Sequence, residues 1–279
     1  MNIHASVWID YFEELPVERA IEELSAAGFT HGELSIVHLA QLMEKPNPAA
    51  TGAALKATAD QNGYSIPQGH LSFHRGMITD NALECLMQEL DLFAAAGIGK
   101  AILHINGGKD LPAEVRYERL IHSLRKLSEY VDGTGVTLCL ENLPTVPESR
   151  SVHQLKDIIQ DAGAKNLAIC LDTGHLHLCN RQNLLQQSHR EFILSAGPLL
   201  QALHITENNG LGDTHQMPYS ARTGLDWKEV VQALHDVDYQ GLFNLEILGE
   251  RNAPMPIKRA KLEFLRTMCN YMLSDAFIN

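Results

Sequence analysis

Short, nearly continuous apolar runs alternate along the chain with longer stretches whose apolar residues recur every three or four positions. The short runs cover 3–9, 31–36, 65–70, 100–105, 136–141, 167–172, 200–205 and 241–246. Runs such as VTLCL and LAICL lack the in–out alternation of a half-solvated strand, and suit a parallel sheet covered on both faces. The longer stretches predict helices over 16–27, 49–62, 80–96, 112–132, 151–162, 181–195, 226–237 and 256–273. Within 112–132 the period is plain, with Leu120, Ile121, Leu124, Leu127 and Val131 on one side. Gly28, Asn62-Gly63 and Gly97 stand where the first three helices should stop. Eight strand–helix units without a linker predict an α/β chain folded as one (β/α)8 TIM barrel, a single domain over residues 1–279. The connection 206–225 is long and unpatterned, and such a loop inside a compact domain is usually functional.

Composition narrows the partners. The 279 residues carry 34 acidic against 22 basic side chains, a net charge of −12, which disfavours a protein that grips a phosphate backbone with Lys and Arg. A basic cluster with an aromatic wedge is missing near the strand ends, apart from His74-Arg75 beside Phe73. The five cysteines form no C-x-x-C pair and are odd in number, so neither a disulfide framework nor a zinc ribbon is indicated. The N-terminus has no basic segment leading into a long apolar stretch, and no run reaches membrane-spanning length. A cytoplasmic, non-membrane protein is expected; a homo-oligomer is compatible with the sequence but not specified by it.

The candidate chemistry stands at the ends of the strands. His70, His104, Glu141, Asp172, His204 and Glu246 close successive apolar runs, one per unit. Barrel strands open onto one face, so these side chains should converge there. Carboxylates and imidazoles together suit a divalent metal such as Mn, Mg, Co or Zn. A single strand-end acid is more often a solvated or ion-paired group; four in consecutive units make a metal site the better reading. Glu33 and Trp8 end the first two strands, where an ion pair and core packing are the ordinary roles. Asp226 precedes a helix and reads as its N-cap.

The segments LENLP, CLDTGHLHLC, HITENNGLGDTH, TGLDW and YQGLFNLEIL resemble those of the xylose isomerase-like TIM barrel superfamily. That group holds sugar isomerases and epimerases, inosose dehydratases and the endonuclease IV type of apurinic endonuclease. The resemblance implies a metal held by Glu141, Asp172, His204 and Glu246, with Glu141 and Glu246 also moving protons. It implies substrate binding by His175, His70, His104, His215 and Arg222. His70, His104, His175, Asp213 and His215, added to the first four, also match by type the nine ligands of the trinuclear zinc site of endonuclease IV. The favoured expectation is a metal-dependent isomerase or epimerase acting on a small sugar or related polyol-ketone. An apurinic endonuclease and an inosose dehydratase-type lyase are the alternatives. Ketose 3-epimerases usually carry an Arg shortly after the strand-seven His, where this chain has Glu207-Asn208-Asn209-Gly210.

Overall fold

A computed structural model describes residues 3–74, 76–222 and 224–278. Its strands are β1 (His4–Trp8), β2 (His31–Leu34), β3 (Ser65–His70), β4 (Lys100–Leu103), β5 (Thr137–Glu141), β6 (Leu167–Asp172), β7 (Leu200–His204) and β8 (Leu242–Leu245). All paired neighbours are parallel, and the sheet runs β7-β6-β5-β4-β3-β2-β1-β8. Among the described residues β7 meets β8 through one parallel bridge, Ile205 to Leu245. There Ile205 N–H donates to Asn244 O at 2.8 Å and Glu246 N–H to Ile205 O at 3.3 Å. The (β/α)8 barrel expected from the pattern is therefore present, with a narrow closing seam.

The helices are α1 (Val17–Ala26), α2 (Ile36–Met43), α3 (Pro48–Gln61), α4 (Asp80–Ala96), α5 (Ala113–Tyr130), α6 (Val152–Ala162), α7 (Thr173–Arg181), α8 (His189–Ala196), α9 (Trp227–Asp236), α10 (Met255–Met272) and α11 (Asp275–Ile278). Seven of the eight expected helices lie within two residues of α1, α3, α4, α5, α6, α9 and α10. None of these helices is long and apolar enough to cross a membrane.

Two expectations need correction. The chain turns into α2 directly after β2, where no helix was expected. Its N-terminus is capped from afar: the Asp10 carboxylate accepts from Val37 N at 2.8 Å, His38 N at 3.2 Å and His38 Nδ1 at 2.6 Å. A cap supplied across that separation leaves no local sequence signal. The helix expected over 181–195 is instead two helices, α7 and α8. Helix α7 starts at the strand end itself, with Asp172 as N-cap, and residues 173–179 are all buried. A helix without a polar face shows no amphipathic period, which is why the pattern missed it.

Inside the barrel, residues two apart along each strand share the inner face. Beneath the strand ends this interior is split. Ile102, Cys139, Ala168, Cys170 and Ala202 make a small apolar cluster on the β4–β7 side. Ser6, Glu33, Gln68 and Asn244 make a buried polar group on the β8–β1–β2–β3 side. Outside the strands, α3 packs so closely on α4 that a Cβ on Gly52 would lie 2.2 Å from Leu92 O.

Helix α6 leads away from the β5 loop and is held by a reciprocal cap. Ser151 Oγ accepts from Gln154 N at 3.2 Å, and Gln154 Oε1 accepts from Ser151 N at 3.0 Å. Ser151→Ala should lower folding stability by about 1 kcal/mol in urea titration and leave metal affinity unchanged.

Candidate metal centre

Strand register brings the strand ends to one level: Glu141 pairs with Cys170, and Asp172 with His204. Glu141, Asp172, His204 and Glu246 each offer one ligand atom, all within 4.8 Å of one another. Their exposures are 1%, 0%, 0% and 6%, so water cannot relieve the crowding of three carboxylates. His204 Nδ1 faces Glu141 Oε1 at 3.2 Å and Glu246 Oε2 at 3.0 Å.

Asp172 is fixed from three sides. Its backbone N–H donates to Asn142 Oδ1 at 2.7 Å, and Asn142 Nδ2 donates to its carbonyl at 3.1 Å. Its Oδ1 accepts from His175 N at 2.6 Å. Its Oδ2 is buried without any hydrogen-bond partner. Glu141 Oε2, 2.8 Å from His104 Nε2, likewise accepts no well-formed hydrogen bond. Unmet buried carboxylate oxygens beside an imidazole nitrogen are what a divalent cation would satisfy. The four residues fit such an ion, and the set can chelate one.

Five further groups surround them. His70 Nδ1 donates to Leu71 O at 2.7 Å, His175 Nδ1 to Asn142 O at 3.0 Å, and His215 Nδ1 to Glu246 O at 3.0 Å. A carbonyl can only accept, so each of these rings turns Nε2 toward the site. His70 Nε2 lies 3.2 Å from His104 Nε2 and 3.5 Å from Glu141 Oε2. His175 Nε2 and His215 Nε2 flank Asp213 Oδ2 at 3.1 and 3.3 Å. All eight of the other metal or histidine candidates thus join the cluster around Glu141. Arg222 does not: it is exposed and makes no hydrogen bond or ion pair with these groups.

Burial raises the carboxyls, and the imidazoles then decide. His104 and His204 outweigh burial at Glu141 and hold it well below the carboxylate range. His204 and His215 do the same at Glu246, which falls to about 2. Asp172 moves the other way, to about 7, because burial and the repulsion of Glu246 and Glu141 exceed the pull of His175. Burial lowers the imidazoles, yet Asp172 with Asp213 raises His175, and Glu246 with Asp213 takes His215 to about 10. His204 also lies well above its ordinary range, held up against burial by surrounding acids that include Glu246, Glu33 and Glu141.

The walls are aromatic. Phe73 stacks on His104 with ring centres 4.4 Å apart and meets His70 edge-on. Trp8, expected to be core, is buried but stacks on His215 at 5.6 Å while Nε1 donates to Ile247 O at 2.7 Å. Arg75, beside Phe73, lies outside the described residues. Asp226 caps α9 as expected, accepting from Glu229 N at 3.0 Å.

Sequence reasoning passed over Glu207 as the place of an absent Arg. The structure makes Glu207 the organiser of the 206–225 loop. Fully buried, it accepts from Ser220 N, Ala221 N and Leu225 N at 2.9, 3.2 and 2.9 Å. Gly224 must be glycine to allow this, since a Cβ there would sit 1.9 Å from Glu207 Oε1. The signal was a Glu three residues past the β7 end, with the later T-G-L-D-W segment.

Eight parallel strands carrying this cluster at their ends agree with a match of residues 21–268 to the model of one protein family. The chain belongs to the xylose isomerase-like TIM barrel family. Its curated relatives include D-psicose 3-epimerase of Agrobacterium fabrum, 25% identical over 57% of this chain and 51% of that protein. Fructoselysine 3-epimerase of Escherichia coli is 23% identical over 92% of this chain and 94% of its own length. The chain thus spans about half the length of some curated relatives and nearly all of others. Among solved structures, D-psicose 3-epimerase from Clostridium cellulolyticum superposes with a TM-score of 0.78 at 19% identity, covering 98% of this chain and 100% of that one. The 3-keto-D-glucoside 4-epimerase of E. coli gives 0.74 at 19%, over 96% and 99%. At these identities the superpositions establish the fold alone.

Metal uptake by this family member should release protons. Ligation needs Asp172 ionised and His204 neutral, whereas without metal burial and the neighbouring acids raise Asp172 to about 7, and the surrounding acids raise His204 well above its ordinary range. Affinity should therefore rise with pH through neutrality. Calorimetric titration of Mn²⁺ in two buffers of different ionisation enthalpy should report about one or more protons released per ion.

Proposed function

We propose that the protein is a divalent-metal-dependent epimerase or isomerase of a ketose or related keto-sugar, working by proton transfer through an enediolate. The observation that carries this is the placement of Glu141 and Glu246, both buried, on either side of His204 Nδ1. Two carboxylates flanking one ligand atom can serve a bound carbon as base on one face and acid on the other.

Glu141, Asp172, His204 and Glu246 would hold the ion. When bound, it would polarise a sugar carbonyl and the neighbouring hydroxyl and so acidify the C–H beside them. One glutamate then removes that proton. Delivery of a proton by the other glutamate, which must enter the step protonated, to the opposite face of the same carbon gives an epimer; return of the abstracted proton by the first glutamate to the neighbouring carbon gives an isomer. His175 and His215, kept protonated around Asp213, donate hydrogen bonds to substrate oxygens as negative charge develops. His70 and His104 serve the same purpose from the other side, with Phe73 and Trp8 excluding water along the ring. Arg222 would reach a distal hydroxyl from the exposed loop. The activities of the relatives, 3-epimerases and a 4-epimerase of keto-sugars, support this class of reaction. No Arg stands in the few residues after His204, and Asn208 is spent on Gly174 O and Gly210 N at 2.8 and 2.9 Å. The hydroxyl contacts of this site therefore differ from the usual ketose 3-epimerase pattern.

One observation favours a second reading. His70 and His104 converge on Glu141 Oε2, and His175 and His215 on Asp213, so the nine side chains form three neighbouring groups. That grouping is compatible with three zinc ions and phosphodiester cleavage at abasic DNA. The net charge of −12 and the names of the relatives weigh toward the sugar.

Elemental analysis of protein purified without chelators should find about one divalent ion per chain. With a panel of ketoses and inososes in deuterium oxide, the turned-over sugar should carry solvent deuterium at the reacting carbon. Glu246→Gln should cut turnover by about 10²-fold or more, the usual contribution of a general acid–base group, without lowering the melting temperature of the apoprotein. Full activity in Glu246→Gln removes the proton-transfer assignment. Loss of water from an inosose would mean a lyase, and three zinc ions with abasic-site cleavage would mean the nuclease.

A further inference from the structure

Glu33 is fully buried, and no Lys or Arg pairs with it among the described residues. A carboxylate in such a place needs donors and a compensating positive charge. Its Oε2 collects three donors: His204 Nε2 at 3.0 Å, Asn244 Nδ2 at 3.1 Å and Gln68 Nε2. The donors are themselves locked. Ser6 Oγ donates to Asn244 Oδ1 at 3.0 Å, which turns the Asn244 amide nitrogen toward Glu33. Gln68 Nε2 also donates to Leu203 O at 3.3 Å, one residue before His204. This group fills the polar half of the barrel interior directly below the strand ends.

The contrast with the other histidines gives the arrangement its meaning. His70, His175 and His215 anchor Nδ1 on backbone carbonyls and present Nε2. His204 is reversed: Nε2 points down to a carboxylate that can only accept, and Nδ1 points up between Glu141 and Glu246. We propose that Glu33 is a positioning residue that fixes His204 as the Nε2–H tautomer, so that the ion is taken by Nδ1. Fully buried beneath the ring, with Oε1 unpartnered, Glu33 would act without touching the ion or the sugar. It acts through the ring, orienting it and raising the basicity of the ligating nitrogen, as carboxylate partners of metal-bound imidazoles do. This rests on the metal centre read above.

The test measures metal binding and needs no turnover. Zn²⁺ affinity is obtained by competition with a chromophoric chelator for the whole chain and for Glu33→Gln and Glu33→Leu, with apoprotein melting as the control on folding. Glu33→Leu should weaken Zn²⁺ binding by about 10- to 100-fold, and Glu33→Gln, which keeps an acceptor, should recover part of that loss. A folded Glu33→Leu protein with wild-type affinity overturns the proposal. Should Glu33→Leu not fold, nitrogen NMR of cadmium-loaded wild-type protein with isotopically labelled histidine decides it. Metal coupling to a His204 Nδ1 whose ring carries its proton on Nε2 supports the assignment, and coupling to Nε2 overturns it. Failure of the wild-type chain to bind any divalent ion would overturn the metal centre and this inference together, whereas binding that ignores Glu33 would overturn only the inference.

Discussion

The barrel gathers negative charge where water is excluded, and the rest of the site is a response to that. Glu141, Asp172 and Glu246 meet within one small volume, and Glu33 lies buried beneath them. At an effective dielectric near 20, two like charges about 4 Å apart repel by roughly 4 kcal/mol. No Lys or Arg forms an ion pair with these acids among the described residues; imidazoles do. Histidine suits the task because it can surrender its proton when an ion arrives, whereas Arg would keep the place occupied. The cluster is therefore stable without metal yet open to it. The raised Asp172 carboxyl marks the point where charge is least compensated.

The strand-end cluster was legible because a strand end is readable. Apolar runs of the same length, each stopping on His, Glu or Asp, give position and chemistry together, and parallel closure makes convergence follow from topology. The helices that wrap the barrel were legible for the same reason, since each has one apolar side. What escaped lies where contacts are distant or the surroundings uniform. Helix α2 depends on Asp10 for its cap, and α7 is buried on every side. Glu33, Glu207 and Asn142 are ordinary residues in sequence; each acts through partners that only the fold brings near. Trp8 and Phe73 were readable as apolar, but not as rings stacked on His215 and His104.

The same lining explains why one architecture hosts several reactions. On the proposed reading, the inner groups would set where charge develops, while the 206–225 loop and the residues after β4 and β5 would set what reaches them. Glu207 gives that loop its shape through three backbone N–H groups, so Asp213 and His215 are delivered by a rigid turn. On that reading, chemistry and selectivity would be carried on separate layers of the molecule.

The narrow seam between β7 and β8 has a mechanical meaning. Strands elsewhere in the barrel are stitched by two or more register pairs, but among the described residues one bridge, Ile205 to Leu245, joins β7 to β8. His204 and Glu246 are the immediate neighbours of that bridge, one on each side of the gap. An ion held by both would be a clasp across the most sparsely paired join of the cylinder. Filling the site would then also tighten the hoop.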